Sequence, residues 1–291
     1  MATDTPGAPV VVAVDGSPAA LEAVDTAAGE ARLRNRPLRV VHAFVWPSTR
    51  MPLGAVEGDL RYEADGIVEE ALRRARAAGP VPEAGGAVVT GDALSVLEQE
   101  SRSAALMVVG SRGLGTFSRL LLGSVAGQLA AHSHAPVLVV RGRVAAEGPV
   151  VVGADGSPAG DGAIGFAFAE AAARETRLVA VHAWSDWADP VPPPPDKAAP
   201  YAYAPGMLQD DEERLLAEAL AGRRERYPDV PVEPRVVRGR AREVLVEASE
   251  AAGLLVLGAR GRGGMRGMLL GSVSQALLRH AHAPVAVVRS P

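Results

Sequence analysis

The sequence predicts an α/β protein made of two tandem domains, residues 1–145 and 146–291, each with a parallel sheet covered by helices on both faces. Three observations predict it. A glycine-rich loop occurs twice: Gly110-Ser111-Arg112-Gly113, nine residues, then Gly123-Ser124, and again Gly258-Ala259-Arg260-Gly261, nine residues, then Gly271-Ser272. Other segments repeat in the same order, among them Asp15-Gly16-Ser17-Pro18 with Asp155-Gly156-Ser157-Pro158, Val41-His42-Ala43 with Val181-His182-Ala183, and His132 to Val137 with His280 to Val285. Within each half, continuous apolar runs alternate with stretches of helical spacing, the pattern of a sheet buried on both faces.

The elements follow in order. Val10–Val14 is an unbroken apolar run and reads as a buried strand. Ser17-Pro18 starts a helix, serine as cap and proline in the first turn, and Leu21, Val24, Ala28 and Ala31 keep helical spacing up to Arg34. Leu38–Phe44 is a second strand. Tyr62, Val68, Ala71, Leu72 and Ala75 mark a second helix. Ala87–Thr90 is a short third strand. Leu94, Leu97 and Ser101 mark a third helix, with Asp92 placed to cap it. Leu106–Val109 is the fourth strand, followed by the glycine loop, a helix from Ser124, and a fifth strand at Pro136–Val140. The repeat offset is 140 residues at the front and 148 at the back, so about eight residues are inserted between His182 and Gly239. Asp189–Pro205 is proline-dense and reads as an exposed loop holding that insertion.

Composition narrows the function. Hydrophobic residues make up 48% of 291, enough for two real cores. No apolar run approaches the roughly 18 residues of a membrane span, and Met1–Pro9 lacks a signal-peptide pattern, so the expected place is the cytoplasm. The net charge of −4 argues against a nucleic-acid partner. With no cysteine, there is no disulfide, thiolate or cysteine–metal chemistry. Lys197 is the sole lysine, so neither glycine loop has one beside it.

A strand, a glycine loop and a helix N-terminus present bare backbone N–H groups and the positive end of a helix dipole to an anion, usually phosphate. Ligands of open α/β sheets sit beyond the carboxyl ends of the strands, where strand order reverses. Asp15 ends the first strand and Gly110 the fourth. If those strands are neighbours, the acid and the glycine loop share one crevice, which suits a nucleotide. Asp15 and Asp155 also fit a plain Asx turn, and Arg112 and Arg260 fit solvated loop charges. His132-x-His134 has no third ligand spaced to join it, so no metal site is expected, and His42 and His182 read as structural.

Gly-x2-Gly-x9-Gly-Ser after an apolar strand, with an early Val-Ala-Val-Asp-Gly-Ser, resembles the universal stress protein family over nearly the whole chain. The resemblance implies open five-stranded parallel sheets of order 3-2-1-4-5 and membership in the ATP-binding branch. It implies Asp15 and Asp155 near adenosine, and Ala43 and Ala183 near adenine. Gly110, Arg112, Gly113, Gly258, Arg260 and Gly261 would wrap ribose and phosphates. Gly123, Ser124, Val125, Gly271, Ser272 and Val273 would donate to the phosphates. It further implies pairing of last strands, here within one chain as a pseudo-dimer through Val137–Val140 and Val285–Val288, and a homodimer of chains as a further level.

The expected function is therefore a stress-response regulator or sensor that works through occupancy of two adenine-nucleotide sites, ATP with Mg2+, and through a protein partner that reads it. The alternative is a slow Mg-dependent ATPase. No catalytic residue is assigned: there is no phosphate-loop lysine signature and no general base beside either loop. A flavin-binding electron carrier finds no supporting residues.

Overall fold

The computed structural model describes residues 7–45, 56–114, 122–141, 148–185, 207–262 and 269–290, with only the backbone of 56–59 and 207. The first half runs β1 (Val10–Ala13), α1 (Pro18–Leu33), β2 (Leu38–Phe44), α2 (Val56–Ala77), β3 (Ala84–Thr90), α3 (Ala93–Glu100), β4 (Leu106–Gly110), α4 (Ser124–His132) and β5 (Val137–Val140). The second half repeats this as β6 (Val150–Gly153), α5 (Pro158–Ala173), β7 (Leu178–Trp184), α6 (Met207–Arg226), β8 (Val232–Arg238), α7 (Ala241–Ala248), β9 (Leu254–Gly258), α8 (Ser272–His280) and β10 (Val285–Val288).

The ten strands among the described residues form one sheet, ordered β3-β2-β1-β4-β5-β10-β9-β6-β7-β8. Each half is parallel and carries the expected order 3-2-1-4-5. The halves join where β5 meets β10 antiparallel, Leu138 opposite Ala286. The two Val-rich strands thereby cover each other's edges. Adjacent residues of one strand serve different cores: Val10 and Val12 belong to the core that includes residues of α1, α2, α5 and α6, while Val11 belongs to the one that includes residues of α3, α4, α7 and α8. Both cores run unbroken through the seam.

Local chemistry sets the helix starts. The Ser17 side chain accepts from the Ala20 N–H, and Asp92 from the Ser95 N–H, so both expected caps form. One strand start lies earlier than the sequence suggested. β3 begins at Ala84, not Ala87, because it pairs with β2 over its full length, Leu38 opposite Ala84. The glycines hid it: a Cβ on Gly86 would lie 2.4 Å from the Val68 side chain, so the close packing of α2 requires glycine in this strand. Tyr62 lies on α2 as read, on its exposed face, at 82% exposure.

Across the seam, α1 and α5 exchange charges. Arg34 pairs with both Glu30 and Glu170, and Arg174 with both Glu170 and Glu30. Burial pushes the Glu170 carboxyl up against the pull of Arg34 and Arg174. β7 stands 140 residues after β2, while Leu215 of α6 covers Gly156 as Ile67 of α2 covers Gly16, 148 residues earlier. The extra residues therefore fall between Trp184 and Met207. The tract Asp189–Pro205 itself lies outside the described residues.

Candidate functional site

The site begins with two short turns at the carboxyl end of the sheet. β1 pairs with β4, Val10 opposite Leu106, so the chain leaving β1 faces the chain leaving β4. Gly16 adopts φ +83, which reverses the chain after Asp15. One Asp15 oxygen then accepts from the Ser17 N–H at 3.0 Å, an Asx turn. Its other oxygen accepts from the Leu114 N–H at 3.1 Å, just past the glycine motif. The second half repeats the arrangement: Asp155 accepts from Ser157 N–H at 3.0 Å and from Arg262 N–H at 2.7 Å. The turn reading of these carboxylates therefore holds, and each carboxylate also meets the glycine loop of its own half.

Glycine is needed here for close approach. A Cβ on Gly113 would stand 2.5 Å from an Asp15 oxygen, and one on Gly261 the same distance from Asp155. A Cβ on Gly110 would lie 2.7 Å from the Ala19 carbonyl of α1.

The loop closes on its far side. Gly123 N–H donates to the Ser111 carbonyl and Gly271 N–H to the Ala259 carbonyl, each at 2.8 Å. Those two amides are thus engaged within the loop. By helix geometry the first-turn N–H groups, those of Ser124 and Val125 and of Ser272 and Val273 among them, have no partner within their own helix. Neither α4 nor α8 has a side-chain cap, nor has α7, whereas α1, α3 and α5 do. Uncapped first-turn N–H groups at a positive dipole end are suited to an anion.

Ala43 and Ala183 extend β2 and β7 beside these turns, half-buried. Their histidine neighbours support the turns from behind. His42 Nδ1 meets the Val14 carbonyl at 2.8 Å and His182 Nδ1 the Ala154 carbonyl at 2.7 Å. His182 also reaches the Glu212 carboxylate of α6. Arg112 and Arg260 are exposed on their loops. In the second half Gly156, Ser157, Pro158, Ala159, Arg260, Gly261 and Arg262 line a crevice of about 550 Å³. That volume lies within the roughly 300–1,000 Å³ of small-molecule sites.

Several contributors carried no assigned role in the sequence reading. Leu114 and Arg262 stand one position beyond the glycine motif and close the loop onto the acid. Arg141, directly after β5, donates to the Leu278 carbonyl of α8, and Arg289, after β10, donates to the Ser133 carbonyl. Burial first, and Arg112 second, push the Arg141 guanidinium down from its ordinary value. The repeated Val-Val-Arg ending of both halves was the available signal. Glu212 had none. Trp46, Phe117, Gly263, Gly264 and Arg266, at or near the glycine loops and the end of β2 in sequence, lie outside the described residues. Among the described residues no group of three His, Asp or Glu side chains is placed to hold a metal ion.

Comparison with known proteins decides the family. The model of the universal stress protein family matches residues 8–141 and again 148–289. This chain belongs to the universal stress protein family. A universal stress protein of Mycobacterium tuberculosis is 40% identical over 97% of this chain and 95% of its own length. A crystal structure of a universal stress protein from Archaeoglobus fulgidus shares the fold, with a TM-score of 0.70 at 19% identity over 97% of this chain and 96% of that one. A further solved universal stress protein, in complex with cAMP, is 35% identical and covers 46% of this chain and 96% of that one, with a TM-score of 0.38. Each half of this universal stress protein thus carries one copy of the family domain. Among the described residues no helix is long and apolar enough to cross a membrane.

Proposed function

We propose that this chain is a stress-response regulator or sensor that binds an adenine nucleotide, ATP, in each half, residues 1–145 and 146–291, and signals through occupancy. The observation that carries this is the closure of Asp15 onto Leu114 N–H and of Asp155 onto Arg262 N–H, each beside an uncapped helix start. A nucleotide needs a polar group for its sugar and open donors for its phosphates. The carboxylate and the first-turn amides would supply those. Gly110, Gly113, Gly258 and Gly261 leave the backbone bare where a phosphate would approach. Gly123 and Gly271 set the turn into the helix, and Ser124, Val125, Ser272 and Val273 donate. Arg112 and Arg260 offset phosphate charge, and Ala43 and Ala183 leave room for a flat base.

Mg2+ would ride on the phosphates and its own waters, as this ion does where no cage of protein ligands surrounds it. The groups lining the second crevice bind and neutralise charge; none of Ser157, Arg260 or Arg262 is a base at neutral pH. That favours occupancy over turnover, with the signal read by a partner protein in the cytoplasm or by a second copy of the chain. Ligand that favours one loop conformation shifts the population toward it.

Calorimetric titration with Mg-ATP tests the reading. The expected stoichiometry is two per chain, with hydrolysis well below about one per second, under the ~10 s⁻¹ typical of enzymes. No binding of ATP, ADP or AMP at millimolar concentration, or rapid turnover, overturns it.

A further inference from the structure

We infer that the two crevices differ in charge selectivity, and that Arg262 is the residue that makes the second one prefer the more highly phosphorylated nucleotide. The inference rests on the nucleotide-binding reading and goes beyond it. Among the described residues, the two turns differ in what lies over the first glycine. Over Gly16 lies Ile67, with its Cδ1 3.4 Å from where a Cβ would stand. Over Gly156 lies Leu215, the same position of the repeat, and with it the Arg262 guanidinium, its Nη2 2.9 Å from where a Cβ would stand.

Arg262 and Leu114 occupy equivalent places, each donating its N–H to the aspartate of its own half. Their backbones do the same work, so the difference lies in the side chain. Leu114 is 70% exposed and brings no charge. Arg262 lines the crevice of about 550 Å³ together with Arg260 and the start of α5. The Asp155 carboxylate is already engaged by Ser157 and by the Arg262 amide. Among the described residues, the second crevice is lined by two arginines, Arg260 and Arg262, where the corresponding positions of the first half are Arg112 and Leu114. An added guanidinium attracts each further phosphate charge, and its planar donors suit phosphate oxygens. It gives a nucleoside monophosphate much less.

The test separates the sites within the full chain. In a Gly113→Ala background, AMP, ADP and ATP are titrated at low ionic strength, then again after Arg262→Leu and after Arg262→Lys. Arg262→Leu should weaken ATP by about fivefold, the worth of one exposed charge pair, and leave AMP within about twofold. Arg262→Lys should keep most of the ATP preference, and raised salt should shrink it. Leu114→Arg in a Gly261→Ala background should confer the preference on the first site. Equal losses for AMP and ATP in Arg262→Leu, or no gain from Leu114→Arg, overturn the inference while leaving the nucleotide reading in place. A wild-type chain that binds none of the three nucleotides overturns both.

Discussion

Arg34 of α1 pairs with Glu170 of α5 across the seam between the two halves, 136 residues apart in the chain. Arg174 returns the favour to Glu30, and the four side chains close a ring with little solvent exposure. Removing one member strands the others in low dielectric. Glu170→Ala should therefore cost about 3 kcal/mol in denaturant unfolding. Replacing all four by apolar residues of similar volume should recover most of that loss. Equal stability of Glu170→Ala and wild type would sink this account of the seam.

The glycines of the loop should separate by role. Gly110 faces the rigid backbone of α1, so Gly110→Ala should lower stability by about 2 kcal/mol, the cost of overpacking. Gly113 faces only the Asp15 carboxylate, so Gly113→Ala should displace that carboxylate from Leu114 and shift stability by less than about 1 kcal/mol. Calorimetry should then give one ATP site instead of two, and Gly261→Ala should remove the other. Thermal melts of the three variants check the first half of this prediction.

Asp155→Ala should loosen the second loop, because Arg262 N–H and Ser157 N–H both lose their acceptor. The expected readout is faster amide exchange at Arg262 and Ser157, with exchange at Leu114 and Ser17 unchanged. Exchange that rises equally in both halves would mean that the loops are not independently held.

His280 ends α8 and should titrate below its ordinary value of 6.5, driven down by desolvation and then by Arg242, Arg141 and Arg279. The sign follows from linkage. In the unfolded chain His280 takes a proton near 6.5, while the folded chain resists it, so its contribution to stability is present above that pH and fades as pH falls through the lower folded value. Two-dimensional NMR should place the midpoint below 6.5, and Arg141→Gln should raise it. A midpoint that stays put in Arg141→Gln would show that Arg141 does not act on this ring.

Much of this protein was legible in one dimension. The doubled glycine motif, the doubled Asp-Gly-Ser-Pro turn and the apolar runs determined the element order, the family and the crevice, because strands, caps and tight turns are set by neighbours a few residues apart. Ser17 and Asp92 cap as their spacing requires. The pairing of Val137–Val140 with Val285–Val288 was legible as well, since two unprotected Val-rich edges had one evident way to hide. Tertiary structure alone decided what meets across the fold. Asp15 closes on Leu114 over 99 residues and Asp155 on Arg262 over 107. Glu212 reaches His182 from a helix, and Arg34 finds Glu170 through the seam. Such contacts depend on strand order and on which helix faces share a side of the sheet, and no local spacing encodes the direction in which a particular arginine or glutamate will point.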